Sequence, residues 1–270
     1  LPAEAARARS MSTRYGTPFR IGTTSYIYPD DILPNARRLC GRVDDIELVL
    51  FEVPDAGNIP GSALVRELAS LARDHALTYT PHLPLDINLG SVDAVVRDSS
   101  IDIAARLIER LAPLDPPAFV LHIPGPGNSC AGILDWQLRA GDSVGRLLRR
   151  VGIAPNRIAV ENLDFPFHLL GGIIADHALS ACIDVGHLFI GGLDVSAHLD
   201  SYLGVARVMH LHGVRDGRDH ISLRHLDPAF TAWLMKRLCD AGYGGVLTLE
   251  VFGETDFEES LAALREALPG

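Results

Sequence analysis

Short apolar runs alternate with longer amphipathic segments along nearly the whole chain. The runs are continuous rather than alternating between apolar and polar residues, a pattern typical of parallel strands that are covered on both faces. Eight such runs predict strands at residues 19–26, 46–52, 77–82, 119–122, 158–162, 180–184, 208–212 and 246–251.

The segments between these runs have the spacing of amphipathic helices. Residues 62–75 and 227–241 each place large apolar side chains three or four positions apart, on one helical face. Ser91 predicts the N-cap of a further helix that extends to about Leu111. Alternating strands and helices predict an α/β protein, a (β/α)8 TIM barrel over residues 18–270 in a single domain. An open doubly wound sheet is the alternative, but no GxGxxG motif follows the first predicted strand.

The composition narrows the class of protein and its partners. With 47% hydrophobic residues, a chain of 270 residues can bury a large core. The net charge of −10 argues against a nucleic-acid partner, because nonspecific affinity for a phosphate backbone comes from Lys and Arg. No apolar run reaches the length of a membrane-spanning helix, so we expect no membrane partner.

The cysteines and the first residues bear on localisation. The four cysteines are widely spaced and form no CxxC pair, which predicts reduced thiols and a cytoplasmic location. They are Cys40, Cys130, Cys182 and Cys239. Residues 1–10 are rich in Ala and Arg and lack the apolar centre of a signal peptide. We expect residues 1–17 to be a disordered upstream extension or an expression remnant.

Most of the predicted strands end in a side chain that can bind a metal ion. One run ends in Asp184, and His187 follows three residues later. The carboxyl ends of barrel strands meet at one rim, where the active sites of this architecture lie, so these side chains should converge. A carboxylate in such a mouth is costly unless it is paired or bound to metal. The other strand-end residues of this kind are His82, His122, Glu161, His210 and Glu250.

The residue types indicate which ions would fit. Glu161, Asp184, His210 and Glu250 would offer one ion a mixed set of carboxylates and imidazole, which suits Zn²⁺, Mn²⁺ or Fe²⁺. More histidines are present than one ion needs, so we expect one to three divalent ions. The surplus histidines are His82, His122, His187 and His220.

Two carboxylates and one further histidine are candidates for catalysis. Glu161 and Glu250 are expected to act in the reaction itself as well as in metal binding. His212 lies two residues after His210 and so points to the same side of the strand. We predict a catalytic part for His212, with a purely structural role as the alternative.

Substrate contacts are predicted from two loops on the same rim. Arg215 and Arg218, in a charged loop over residues 213–220, could clamp a phosphate by bidentate hydrogen bonds. Tyr26 and Tyr28, after the first strand, could face a large flat ligand. A solvated turn and aromatic packing at the rim are the respective alternatives.

These motifs resemble the xylose isomerase-like TIM barrel superfamily, which contains the metal-dependent apurinic endonucleases and the sugar isomerases and epimerases. The segments that carry the resemblance are TYTPHLPLDINLG at residues 78–90, LHIPG, VENLD, CIDVGHLFIGGLD, VMHLH and TLEVF. The resemblance implies that the trinuclear zinc positions of the endonucleases fall on His82, His122, Glu161, Asp184, His187, His210, His220 and Glu250. In the endonucleases, an Asp and a His separated by one residue follow strand seven. Here the Asp lies directly before the His, in Arg218-Asp219-His220, which leaves the third ion open.

A narrower likeness is to the cobamide-remodelling (CbiR) branch of this superfamily. It is carried by IGTTSYIYPDDILPNARRL at residues 21–39 and VDDIELVLFE at residues 43–52. Members of that branch hydrolyse the phosphodiester of the nucleotide loop in cobamides such as adenosylcobalamin and pseudocobalamin. The likeness implies a hydrolase with a corrinoid substrate, and it leaves the oligomeric state open.

Two other functions remain open from the sequence. A sugar isomerase or epimerase would use a single divalent metal, with Glu161 and Glu250 as proton donor and acceptor. A noncatalytic corrinoid carrier is the third class, although binding alone does not require a cluster rich in carboxylates.

Overall fold

Eight parallel strands close into a barrel in the computed structural model, which describes residues 13–51, 57–127 and 132–269. The barrel strands are β1 (Arg20–Thr24), β2 (Asp45–Val49), β3 (Thr78–His82), β4 (Phe119–Leu121), β5 (Ile158–Glu161), β6 (Ser180–Asp184), β7 (Ala206–Leu211) and β10 (Val246–Leu249). Chain neighbours pair from β1 through β7, and β10 closes the barrel between β7 and β1. This arrangement confirms the predicted (β/α)8 TIM barrel, and each strand overlaps its predicted run.

Helices follow the strands and cover the outside of the barrel. They are α1 (Ile32–Leu39), α2 (Ser62–His75), α3 (Ala94–Leu111), α4 (Ile133–Val151), α5 (Gly171–Asp176), α6 (Val185–Ile190), α7 (Val195–Tyr202), α8 (Pro228–Asp240) and α9 (Glu254–Ala267). The predicted start of α3 is wrong, because the side chain of Asp93 and not Ser91 accepts the Val95 N–H (2.8 Å). The Ser91 hydroxyl instead accepts the backbone N–H of Asp93 (3.2 Å).

The charged segment after β7 is a β-hairpin, where the sequence predicted a loop. It consists of β8 (Gly213–Arg215) and β9 (Arg218–Ile221). Asp216 and Gly217 both have positive φ (52° and 74°), as a type I′ Asp-Gly turn requires. The hairpin carries His220 to the rim of the barrel, so it belongs to the architecture of the site.

Two sets of apolar residues form the core. The larger set lies between the barrel and its helices. The smaller set is separate and fills the barrel on the side of β4 to β7. Its members are Ala118, Val120, Ala159, Cys182 and Val208.

Several sequence predictions concern residues at the edges of the described ranges. Residues 1–12 and Cys130 lie outside them. Within residues 13–17, the Arg14 backbone N–H donates to Asp44 (2.8 Å), so this part of the expected extension contacts the barrel.

Cys40, Cys182 and Cys239 are free thiols. None of the helices in the described ranges is both long and apolar enough to cross a membrane.

Candidate metal centre

Glu161, at the end of β5, lies at the centre of the cluster and is almost fully buried. Its Oε2 atom is 3.3 Å from His82 Nε2 and 3.0 Å from His122 Nε2. Its Oε1 atom is 3.5 Å from His187 Nδ1 and 3.6 Å from His210 Nδ1. One carboxylate therefore faces two separate pairs of imidazoles, one with each oxygen.

His210 faces several carboxylates from the end of β7. Its Nδ1 atom is 3.1 Å from Glu250 Oε2 and 3.7 Å from Asp184 Oδ2, in addition to the contact with Glu161. His210 Nδ1 and Glu250 Oε2 are both buried, and neither has a hydrogen-bond partner among the described residues. Buried polar atoms are normally satisfied, so these two atoms indicate a missing partner between them.

A third group of ligand atoms lies toward the hairpin. His212 Nε2 is 3.3 Å from Asp184 Oδ1, and His220 Nε2 is 3.4 Å from Glu250 Oε2. The rings of His212 and His220 are stacked at 4.2 Å. Asp219 contacts His220 Nδ1 (3.1 Å), so the displaced Asp orients this histidine. The eight predicted ligands therefore converge, with His212 beside them.

The Asp-x-x-His spacing has a local cause. Asp184 is the N-cap of α6, and its Oδ1 accepts the backbone N–H of His187 (2.7 Å). This first helical turn folds His187 back toward Glu161. Gly186, between them, has to be a glycine, because a Cβ atom there would lie 1.9 Å from Cε1 of His212.

Asn162 fixes the other side of this turn. Its side-chain amide donates to the Asp184 carbonyl (2.9 Å), and its side-chain oxygen accepts the Asp184 N–H (2.8 Å). Its backbone carbonyl lies 3.0 Å from His187 Nδ1. The expectation that Asn162 holds the loop is consistent with these contacts.

Two acidic residues inside the barrel were missed by the sequence analysis. Asp45 and Glu47 lie in β2 and are fully buried. Glu47 Oε2 is 2.8 Å from His210 Nε2. The signal was available, because two carboxylates two residues apart in a buried strand point to the same side.

The cluster stabilises positive charge. Burial acts to raise the pKa of Glu161, but His210 and His122 hold this pKa well below its ordinary value. Burial acts to lower the pKa of His82 and of His220, but Glu161 and Glu250 respectively raise both pKa values to about 9. Carboxylates that stabilise protonated imidazoles in this way can also stabilise divalent cations. The mixed nitrogen and oxygen donors of the site suit Zn²⁺, Mn²⁺ or Fe²⁺.

His212 lies beneath His220, and its predicted catalytic role stays a prediction. Its ring is fully buried and stacks on the ring of His220. Its Nδ1 accepts the backbone N–H of His220 (3.0 Å), a residue held at a φ of 52°. His212 therefore positions Asp184 and His220.

The predicted substrate residues differ in where they lie. The ring of Tyr28 is buried beneath Arg38, and its hydroxyl accepts from Arg42 (3.2 Å), so its role toward a substrate stays a prediction. Tyr26 remains partly exposed, and its hydroxyl accepts from Asn58 (2.6 Å).

The two hairpin arginines lie on the surface. Arg215 and Arg218 are exposed, and Arg215 contacts the neighbouring Asp216. Their role toward a substrate phosphate stays a prediction.

Exposed aromatic side chains stand on the rim. Phe252, after β10, is 46% exposed and lies 5.4 Å from the ring of His220. Phe51, after β2, is 38% exposed and lies 6.0 Å from the ring of Tyr26. The sequence analysis did not single out either phenylalanine.

Comparison with known proteins agrees with this architecture. A family model described as xylose isomerase-like TIM barrel matches residues 41–267. A D-tagatose 3-epimerase-like protein superposes with a TM-score of 0.76 at 20% identity, covering 92% of this chain and 97% of the other. Endonuclease IV from Thermus thermophilus does so with a TM-score of 0.71 at 20% identity, covering 92% and 98%. Another Thermus thermophilus protein, soaked with zinc chloride, gives 0.66 at 23% identity, covering 95% and 98%.

Proposed function

We propose that this chain, which belongs to the xylose isomerase-like TIM barrel family, is a metal-dependent phosphodiesterase. The observation that carries this proposal is the division of Glu161 between two sets of ligands. His82 and His122 face one oxygen, while His187 and His210 face the other. A single ion would not use both sets, whereas a carboxylate shared between two ions would.

The residues that would hold the ions follow from these contacts. His82, His122 and Glu161 would hold one ion, and Glu161, Asp184, His210 and Glu250 a second, with His187 beside Glu161 and Asp184. Asp184, His220 and Glu250, which His212 positions, leave room for a third. Ions bound there would polarise a phosphoryl oxygen and lower the pKa of a water molecule.

The protein's own residues prepare this site. Glu161 and Glu250 present carboxylates in a mouth from which the surrounding strands exclude most water. His122, His187 and His220 are the partly exposed members, with side-chain exposures of 14%, 22% and 25%, so a substrate would reach the cluster from their side.

We further propose that the substrate is a cobamide whose nucleotide-loop phosphodiester is cleaved. The support is the pair of exposed aromatic sites, Phe252 and the Phe51–Tyr26 pair, which offer apolar surface beside a phosphate-cleaving centre. The net charge of −10 disfavours DNA as the alternative phosphodiester.

A second candidate is a sugar epimerase with one metal and the Glu161–Glu250 pair. Several of the similar solved structures are described as sugar epimerases or epimerase-like, which favours it. At identities of 23% or less, however, these likenesses show the fold alone. The His82 and His122 contacts supply more ligands than the single metal of an epimerase would need, and for this reason we place it second.

The decisive experiment is incubation of the zinc-loaded protein with adenosylcobalamin under reducing conditions. We expect release of the lower-ligand nucleotide or nucleoside, detected by mass spectrometry, with two or three zinc ions per chain. A parallel incubation with ketohexoses should show no epimerisation.

His82→Ala separates the two candidates. In a phosphodiesterase this substitution would remove a metal ligand and abolish cobamide cleavage. An epimerase that uses only Glu161, Asp184, His210 and Glu250 would keep its activity. Ketose epimerisation that survives His82→Ala, together with an intact cobamide, would overturn the proposal.

A further inference from the structure

Glu47 is a buried carboxylate that contacts the cluster from below. It lies in β2 with no solvent exposure, and its Oε2 is 2.8 Å from His210 Nε2. Its Oε1 has no hydrogen-bond partner among the described residues. An isolated buried carboxylate is unfavourable, so the short contact with a ring nitrogen of His210 stabilises Glu47 in the barrel.

The contact determines which nitrogen of His210 is available to a metal. A neutral imidazole has one N–H group, and a carboxylate at this distance accepts it. Nδ1 has no hydrogen-bond partner among the described residues, although three carboxylates lie within 3.1 to 3.7 Å of it. In the neutral ring that would bind a metal, the N–H group is therefore assigned to Nε2, and the lone pair of Nδ1 faces Glu161, Asp184 and Glu250. Metal-binding histidines commonly donate their other N–H to a carboxylate in this way.

We propose that Glu47 is a positioning residue, which holds His210 in the Nε2–H tautomer so that Nδ1 binds the ion shared with Glu161, Asp184 and Glu250. This inference rests on the proposed metal centre and does not depend on the identity of the substrate.

Asp45 provides a matched control on the same strand. It lies two residues before Glu47, so its side chain enters the barrel from the same face, and it is also fully buried. Its Oδ2 accepts the Thr78 hydroxyl (2.5 Å), and it belongs to none of the ligand groups among the described residues. Asp45→Asn thus removes a buried negative charge near the centre without changing the contact with His210.

The test is titration of the metal-free protein with Zn²⁺ against a competing chelator. We expect Glu47→Gln to weaken the binding of one ion by about 10- to 100-fold, the range found for loss of such supporting partners. The ion held by His82 and His122 should keep its affinity. Asp45→Asn should bind zinc as the wild type does.

Two outcomes would overturn the inference. One is wild-type zinc affinity in Glu47→Gln, and the other is an equal loss of affinity in Asp45→Asn, which would mark a general effect of charge. A wild-type protein that binds no zinc would instead contradict the proposed function.

A second measurement keeps the inference testable if Glu47→Gln does not fold. Long-range ¹⁵N–¹H correlation spectra of the zinc-loaded wild type should show His210 protonated on Nε2 and metal-bound on Nδ1. A protonated Nδ1, or zinc on Nε2, would contradict the proposed role of Glu47.

Discussion

The inward-facing positions of the barrel differ sharply between two successive levels of the same strands. The upper level contains Glu161, Asp184 and His210, and two residues earlier the same strands contribute Ala159, Cys182 and Val208. All six residues are buried. Charged and imidazole groups therefore lie directly on a floor of small apolar side chains, which keeps water from reaching the ligands from below and strengthens their interactions.

The floor is not apolar all the way round. On β2, β3 and β10, the corresponding lower positions are Asp45, Thr80 and Thr248, and each has a buried oxygen without a hydrogen-bond partner among the described residues. The lower level of the barrel interior thus has an apolar side at β4 to β7 and a polar side at β2, β3 and β10. Glu47, the residue that contacts His210, lies two residues after Asp45 on β2, so the polar side supports the ligand cluster by hydrogen bonding as well as by packing.

Removing the shared charge in the upper level should have the largest effect. We expect Glu161→Gln to lower turnover by more than about 100-fold, beyond the upper end for loss of a supporting partner, because the proposed function makes Glu161 a ligand of two ions. The measurement is turnover together with bound zinc per chain. Glu258→Gln is the control, since Glu258 forms an exposed ion pair with Arg42 away from the centre. Full activity and full zinc content in Glu161→Gln would remove Glu161 from the site.

The next largest effect should come from the polar part of the lower level. Burial raises the pKa of Asp45 to about 6, although the Thr78 hydroxyl acts to lower it. The folded protein therefore binds more protons at this site than the unfolded chain between about pH 4 and pH 6, and stability is lost as the pH rises through this interval. Asp45→Asn should avoid this loss. Between pH 4 and pH 7, its free energy of unfolding should therefore rise by about 2 to 3 kcal/mol relative to that of the wild type.

Urea unfolding of both proteins at several pH values checks this expectation. Contributions from other groups cancel in the difference between the two proteins. A difference in the free energy of unfolding that does not change with pH would show that Asp45 titrates normally.

The sequence predicted the fold and the convergence of most candidate ligands, for a physical reason. Continuous apolar runs mark strands covered on both sides, and barrel closure brings every strand end to one rim. Glu161, Asp184 and Glu250 could therefore be predicted to converge without any knowledge of distances.

The remaining features depend on contacts that a linear pattern does not specify. Tyr28 is buried because Arg38 and Arg42 contact it, and these residues come from the following helix and its end. His212 is covered by His220 because the Asp216-Gly217 turn folds the chain back. The Asp-Gly pair was a readable turn signal, whereas the arginine contacts were not.

A smaller effect should follow from adding a polar atom to the apolar side. Val208→Thr keeps the shape of the side chain but buries a hydroxyl among Val120, Ala159 and Cys182. Without a hydrogen-bond partner this hydroxyl should cost about 1 to 3 kcal/mol of stability. Urea unfolding at pH 7 measures the cost. An unchanged stability would mean that water reaches the apolar side, and the contrast between the two sides would then be lost.

The reverse exchange on the polar side, Thr248→Val, should have the smallest effect on stability, and this effect should be neutral or stabilising. Thr248 lies on β10 two residues before Glu250, and its buried hydroxyl lacks a partner among the described residues. Thr248→Val keeps the shape and removes that unsatisfied group, so stability should be unchanged or rise by up to about 1 kcal/mol. The same unfolding measurement applies, with Val208→Thr as the matched exchange. A clear loss of stability in Thr248→Val would show that the hydroxyl binds a buried water molecule, and the polar side of the lower level would then be hydrated.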